Sequence, residues 1–228
     1  MNFLLNGNQT GHASSSFLRG DIALSTVDVT SFEGNTNGSF KQEQQRYPRV
    51  REAYSSKERT VKKLLARRGI NTFRIDLFIR LFKKERLVEV WAKKEETDTF
   101  THIVDYPFCR TSGDLGPKRR EGDLQIPEGF YRLSYFNPAS NYYLSLKIIK
   151  ELYVFAVEAH SSGNARIPVH IFPGRLDEDH WQALKDEYSS DTSLINFWQN
   201  LRPGYLAFAN NKQVSDINID EDGDYNIK

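Results

Sequence analysis

Cys109 is the only cysteine in the 228-residue sequence, and basic residues follow it at Arg110, Lys118, Arg119 and Arg120. Nearby positive charge lowers the pKa of a thiol and favours the nucleophilic thiolate. A catalytic cysteine also needs a base and donors for an oxyanion, whereas a lone cysteine at the end of a strand is more often a small packing residue. We therefore expect Cys109 to be a structural thiol without a histidine partner.

Other catalytic patterns fail on their spacing. The five histidines, at positions 12, 102, 160, 170 and 180, form no His-Glu-x-x-His pair, and the sequence has no Gly-x-Ser-x-Gly element. The run from Gly113 to Lys118 lacks the spacer and the hydroxyl residue of a phosphate loop. The acidic run 220–224 lacks the Gly and Glu positions of an EF-hand and is expected to form an exposed turn. The sequence predicts no metal site and no cofactor.

Composition narrows the classes of partner. Lys and Arg total 31 against 30 Asp and Glu, so a net charge of +1 provides no bulk attraction to nucleic acid or to an anionic membrane surface. No run reaches the roughly 18 apolar residues of a membrane span. The first residues have neither a basic segment nor a long apolar segment, so no signal peptide is legible. The 15 Phe, 11 Tyr and 3 Trp residues favour aromatic-rich β structure.

The elements that must position any site begin after a polar leader. Residues 1–45 are rich in Asn, Ser, Thr and Gly and are expected to be poorly ordered. Residues 55–68 have a helical apolar period that stops at Gly69. The outer face of this helix is basic. It is either a solvated surface or a patch for phosphate or an anionic polymer.

Alternating apolar residues then predict strands at 73–81, 87–92, 100–106, 130–136 and 142–146. A helix over 152–159, a strand over 167–171, and helices at 178–188 (N-cap Asp177) and 194–202 (N-cap Ser193) follow. Strands joined mostly by turns favour an α+β fold with an antiparallel or mixed sheet, flanking helices and C-terminal helices. Residues 46–205 form the predicted domain, and 206–228 are a tail packed on it or trailing from it.

Three runs resemble the murein L,D-transpeptidase catalytic-domain family. They are Tyr-Pro-Phe-Cys-Arg-Thr-Ser-Gly-Asp-Leu-Gly-Pro-Lys-Arg-Arg-Glu-Gly-Asp-Leu-Gln-Ile-Pro-Glu-Gly-Phe-Tyr at 106–131, Phe-Asn-Pro-Ala-Ser-Asn-Tyr-Tyr-Leu-Ser at 136–145 and Ile-Pro-Val-His-Ile-Phe-Pro at 167–173. The resemblance covers residues 46–205. It implies a β-rich domain in the bacterial cell envelope or periplasm. There a cysteine activated by a histidine attacks a peptidoglycan stem peptide, forms a thioester and passes the acyl group to an amine or to water.

The sequence departs from that family at the catalytic segment. In the family, several dozen residues with a His-Gly element and a Ser-x-Gly-Cys element lie between the strand matching 142–146 and the next helix. Here Leu146 is followed directly by Lys147-Ile148-Ile149-Lys150. Cys109 and His170 match other positions of the family pattern, so no residue is assigned a catalytic role. Loss of this segment should also uncover apolar surface and leave the chain marginally stable.

Three interpretations remain open: a family enzyme whose gene or sequence has lost an internal segment, a non-catalytic protein that binds peptidoglycan stem peptides, and an enzyme that has recruited Cys109. The resemblance places residues 113–129 beside the family's catalytic cleft. Their charges and hydrogen-bonding groups suit a peptide with free carboxylates and amines. The candidate substrate-binding residues are Gly113, Lys118, Arg119, Asp123, Gln125, Glu128 and Gly129. The alternative is that the glycines and prolines of this segment simply shape loops.

Overall fold

The fold is that of a computed structural model that describes residues 2–6, 40–108, 113–118, 120, 125–138, 146–221 and 223–228. The elements, in chain order, are β1 (Asn2–Asn6), α1 (Phe40–Gln45), α2 (Pro48–Ala66), β2 (Ile75–Phe82), β3 (Leu87–Lys94), β4 (Thr101–Pro107), β5 (Gly129–Asn137), α3 (Leu146–Ser161), β6 (Ile167–Phe172), α4 (Glu178–Glu187), α5 (Thr192–Asn211), β7 (Ile217–Ile219) and β8 (Tyr225–Ile227). Helices and strands alternate irregularly, which confirms the α+β class.

Six strands form one mixed sheet in the order β1-β5-β6-β2-β3-β4. The hairpin of β2 and β3 and its extension to β4 are antiparallel, as the turns between them predict. The parallel pair is β2 with β6, where Arg80 lies opposite His170 and Phe82 opposite Phe172. Strand β6 therefore lies between β5 and β2 and joins the two antiparallel parts of the sheet, β1-β5 and β2-β3-β4.

Both faces of the sheet are buried. Ile75, Leu77 and Ile79 of β2 belong to the core cluster that also contains residues of α2 and α3. Residues of the opposite parity, including Phe82 of β2 and Phe172 of β6, pack with α4 and α5. The burial of this second face also accounts for the burial of His170. His170 does point away from the Ile167-Val169-Ile171 face, but the rings of Phe78, Phe130 and Phe172 surround it there and it is 4% exposed.

Helix α3 is the centre of the first layer. Residues 152–159 are all buried, because α3 packs between the sheet on one side and α1 and α2 on the other. Its second turn is fixed by Glu151, which accepts hydrogen bonds from Lys57 of α2 at 2.6 Å and from Tyr106 of β4 at 2.7 Å. Because α3 has apolar residues on every side, it must be covered on both sides, by the sheet and by α1 and α2.

Several element boundaries differ from the sequence prediction. Helix α2 begins at Pro48, seven residues before the predicted start, because proline is well suited to a first helical turn. Gly69 does end it, with φ +72°. Leu146, predicted to end a strand, begins α3, and residues 142–145 lie outside the described part. Two pieces of the predicted disordered leader are ordered: β1 pairs with β5, and α1 packs on α3.

The C-terminal helix is capped by Asp191, whose carboxylate accepts from the Leu194 amide at 3.0 Å, and not by Ser193. The helix also continues through Pro203 to Asn211, because Tyr205 and Phe208 are buried in the core. The predicted domain boundary at residue 205 therefore lies inside α5. The tail contains a short hairpin of β7 and β8, and Asp177 caps α4 as predicted.

The described residues show little exposed apolar surface. Tyr47, 43% exposed, is the one large hydrophobic side chain of the described part that is open to solvent. The predicted apolar exposure is therefore not found in this part of the chain. No helix within the described ranges is long and apolar enough to cross a membrane.

Candidate functional site

A buried lysine holds the segment 113–129, which the resemblance places beside the family's cleft. Lys83 follows β2, and its side chain is fully buried. Its ammonium donates to the carbonyl oxygen of Asp114 at 2.7 Å and to that of Ile126 at 3.1 Å. It also lies 3.0 Å from a carboxylate oxygen of Glu128. All three protons of the ammonium thus have acceptors, and these acceptors come from both ends of the segment.

Glu128 is saturated by groups of the chain itself. Oε1, which faces Lys83, also accepts a hydrogen bond from the Gly116 amide at 2.7 Å. Oε2 accepts from the indole of Trp198 on α5, also at 2.7 Å. Because Glu128 is 2% exposed, it has no oxygen to offer a ligand. Its carboxylate instead neutralises Lys83 and joins the segment to the C-terminal helix.

The two ends of the segment also contact each other directly. The Gln125 amide donates to the carbonyl oxygens of Asp114 at 3.0 Å and of Gly116 at 2.9 Å. Gly113 has φ +76°, and a Cβ there would lie 2.8 Å from Cβ of Gln125. At Gly116, a Cβ would lie 2.9 Å from a methyl group of Leu194. These glycines are therefore required by backbone conformation and close packing, which is the loop-shaping alternative.

The structure places the predicted substrate-binding residues in different surroundings. Gln125 and Glu128 face into the segment and hold it together, unlike the ligand-binding role expected from their chemistry. Gly129, with φ +139°, is the first residue of β5, and a Cβ there would lie 2.7 Å from the hydroxyl oxygen of Tyr225. Lys118 is half-buried, with its ammonium 3.5 Å from the Gln125 carbonyl. Arg119 and Asp123 lie outside the described residues.

Sequence reasoning missed Lys83 and Trp198 as parts of this arrangement. Lys83 stands in the run Lys83-Lys84-Glu85-Arg86, which indicates an exposed turn. Lys84, the next residue, does pair with Glu187 at the surface. Trp198 is completely buried, and its hydrogen bond to Glu128 has no local signal in the sequence.

The junction between β5 and α3 is short. β5 ends at Asn137 and α3 begins at Leu146, so residues 138–145 are all that lies between them. Their sequence is Pro-Ala-Ser-Asn-Tyr-Tyr-Leu-Ser, without histidine or cysteine. This is where the resemblance expects several dozen residues that include the His-Gly and Ser-x-Gly-Cys elements.

The four described histidines are engaged elsewhere. His102 and His180 are 2.6 Å from carboxylate oxygens of Asp105 and Asp177, respectively. His160 stacks on Phe40 with ring centroids 3.8 Å apart, and burial lowers its pKa. His102 is the second residue of β4, which ends at Pro107. Cys109 and His12 lie outside the described residues.

A second buried polar cluster lies beneath α5. The Arg80 guanidinium lies 4.6 to 5.6 Å from the ring centroids of four aromatic residues, namely Phe82, Phe172, Tyr205 and Phe208. Burial lowers the pKa of Arg80, while Glu89 opposes that shift. Glu89 also accepts from Trp91 at 2.9 Å and from Arg175 at 3.1 Å. This cluster joins β2 and β3 to the segment before α4.

His170, opposite Arg80, supports a prediction about pH. Burial, and then the charge of Arg80, hold the pKa of His170 well below its ordinary 6.5. The unfolded chain binds a proton at this histidine below pH 6.5 and the folded chain does not, so the free energy of unfolding must fall as the pH drops from 6.5 to 5. His170→Phe should reduce this fall by up to about 1.4 kcal/mol per pH unit, the value for one proton.

Urea unfolding at several pH values between 5 and 7.5 measures this effect. Phe100→Leu, a buried substitution that removes no titratable group, is the control, and its curve should keep the wild-type slope. Equal slopes for wild type and His170→Phe would contradict the prediction.

Within the ranges that the structure covers, no three His, Cys, Asp or Glu side chains are grouped so that they could hold a metal ion. The candidate site therefore consists of the segment 113–129, which Lys83 holds, and the short junction of residues 138–145 between β5 and α3.

Comparison with curated proteins agrees with the motifs in the sequence. The chain is 26% identical over 180 residues to "Putative L,D-transpeptidase YafK" of Escherichia coli K12, with 63% of this chain and 70% of the relative covered. The protein of the same name in Escherichia coli O157:H7 has the same values. No protein-family model matches the chain. This similarity confirms the resemblance to the L,D-transpeptidase family.

Proposed function

We propose that this chain is a peptidoglycan-related protein of the cell envelope that has kept the L,D-transpeptidase fold but lacks acyl-transfer catalysis. The observation that carries the proposal is the junction of residues 138–145, which has no room for the family's catalytic segment and contains neither of its reactive residues. Nucleophile, base and oxyanion donors act as a unit in acyl transfer. Their joint loss removes the reaction entirely.

The test is to incubate the purified chain with muropeptides and to resolve the products by mass spectrometry. We expect no L,D cross-link and no hydrolysed stem peptide above a control without protein. Cys109→Ser is the matched control for recruitment of the remaining thiol. A product that disappears in Cys109→Ser would establish the recruited-cysteine alternative, and any other product above background would also refute the proposal.

Non-catalytic binding of stem peptides is the second candidate function. The observation in its favour is that the segment 113–129 is fixed by Lys83, Glu128 and Trp198 without any contribution from a catalytic segment. A binding surface can therefore persist where catalysis is lost. Because Gln125 and Glu128 are used internally, Lys118 and Arg119 are the members of the predicted set that we propose contact the peptide. Binding without turnover in the muropeptide experiment would distinguish this function.

A further inference from the structure

The outward side of α2 concentrates positive charge. Residues 48–68 contain eight Lys and Arg but two Glu, whereas the whole chain has a net charge of +1. Both acids are already neutralised, Glu52 by Lys150 and Glu58 by Lys62. Arg59, Lys63 and Arg67 recur every four residues and are exposed, and they form no ion pair with an acid of the described part of the chain. We call Arg59, Lys62, Lys63 and Arg67 the basic face.

An apolar hollow lies beside the basic face. It has a volume of about 240 Å³ and is lined by residues of the end of α2 and of the following turn, among them Leu65, Ala66, Ile70 and Phe73. Lys62 belongs both to the basic face and to the hollow, and its ammonium lies 5.5 Å from the Phe73 ring centroid. Positive charge and an apolar hollow therefore adjoin each other at one end of the helix.

The arrangement fits an extended anionic surface better than a single phosphate or a nucleic acid. Arg59 and Arg67 are eight residues apart, which is about 12 Å along a helix, so the charges form a row and do not converge on one point. The basic face contains no aromatic residue on which a base could stack. The hollow offers apolar contact, which a water-soluble polyanion does not need and an acyl chain or glycerol backbone does.

We propose that the basic face binds the surface of an anionic phospholipid membrane, with the hollow accepting apolar atoms of the interface. The interaction is peripheral and electrostatic, because the apolar side of α2 is buried in the core and is not free to insert. It is independent of acyl transfer and of peptide binding. Each cation near such a surface strengthens binding about fivefold.

Sedimentation with vesicles tests the proposal. The probes are vesicles of phosphatidylcholine alone and of phosphatidylcholine with phosphatidylglycerol, at low and at high salt. We expect binding to the anionic vesicles at low salt, at most weak binding to the neutral vesicles, and loss of binding at high salt through screening. Absence of sedimentation with anionic vesicles at low salt would overturn the proposal.

Matched variants locate the surface. Arg59→Gln/Lys63→Gln should weaken vesicle binding about 25-fold, the product of two fivefold losses. Arg86→Asn/Lys228→Gln removes the same charge from two exposed positions outside α2 and should change binding less than twofold. Equal losses in the two variants would refute a specific basic face. Unchanged melting of both variants is the check on folding.

A soluble polyanion decides between a membrane and a polymer as the partner. Polyphosphate should bind the chain more weakly than the anionic vesicles do, at equal phosphate concentration and salt. Tighter binding of polyphosphate, with the same loss in Arg59→Gln/Lys63→Gln, would overturn the membrane proposal in favour of an anionic polymer.

Discussion

Replacing Lys83 with methionine is expected to lower the free energy of unfolding by about 3–5 kcal/mol, the cost of leaving one partner of a buried ion pair alone. Methionine keeps most of the volume of the side chain but removes the ammonium. Glu128 would then be a buried carboxylate without a counter-ion, and the carbonyl groups of Asp114 and Ile126 would lose their donor. Urea unfolding measures the change.

Lys84→Met is the matched control, because the adjacent lysine also forms an ion pair, with Glu187, but at the surface. The side chains of that pair are 37% and 50% exposed, and such pairs contribute about 0–1 kcal/mol. A loss for Lys83→Met no larger than the loss for Lys84→Met would contradict the role of Lys83.

Limited proteolysis adds a local measurement to the same comparison. Lys83 binds both ends of the segment 113–129, so its loss should expose that segment to cleavage under conditions in which the rest of the domain remains folded. Lys84→Met should be cleaved at the wild-type rate. Equal cleavage of the two variants would mean that Gln125 and Glu128 hold the segment without the lysine.

The contrast between these two lysines shows where sequence reasoning reaches its limit. Alternation predicts the β2 and β3 hairpin because each strand's own residues determine which side is apolar. Burial of Lys83 depends on residues 114, 126 and 128, more than 30 positions away, and no local pattern marks it. The same holds for β1, whose partner β5 lies more than 120 residues along the chain.

In helix α5, packing overrides the rule that a proline ends a helix. Proline in a helix interior removes a hydrogen bond, so the sequence favoured an end at residue 202. The helix continues because Tyr205 and Phe208 are buried, and the proline is followed by Gly204, where a Cβ would lie 2.5 Å from Phe130. Asp177 and Gly69 were predictable because an N-cap and a left-handed stop depend on neighbouring residues alone.

The candidate site was predictable in what it lacks and less so in what it contains. The absence of a second cysteine and of a His-Gly element follows from reading the sequence against the family motif. The internal use of Gln125 and Glu128 does not, because a charged residue in a glycine-rich segment carries no sign of whether it faces a ligand or a buried lysine. That distinction requires the position of β2 relative to the segment.

Grafting the missing segment should produce the largest change in activity. A segment that carries the family's His-Gly and Ser-x-Gly-Cys elements would replace residues 147–149 in the first turn of α3. On the proposed function, we expect the grafted chain, unlike the ungrafted one, to form a covalent adduct with a stem-peptide substrate. The reason is that the sheet, α3 and the segment 113–129 remain as a scaffold, and the graft supplies nucleophile, base and oxyanion donors together.

Intact-protein mass spectrometry detects the adduct, and the graft with its cysteine changed to serine is the control that should form none. A second graft, in which the same number of Gly and Ser residues replaces the segment, reports whether the fold tolerates an insertion at this junction. Because Glu151 and the buried residues 152–159 anchor α3 beyond the junction, both grafts should melt cooperatively. A graft that melts cooperatively and forms no adduct would show that this scaffold has lost more than its catalytic segment.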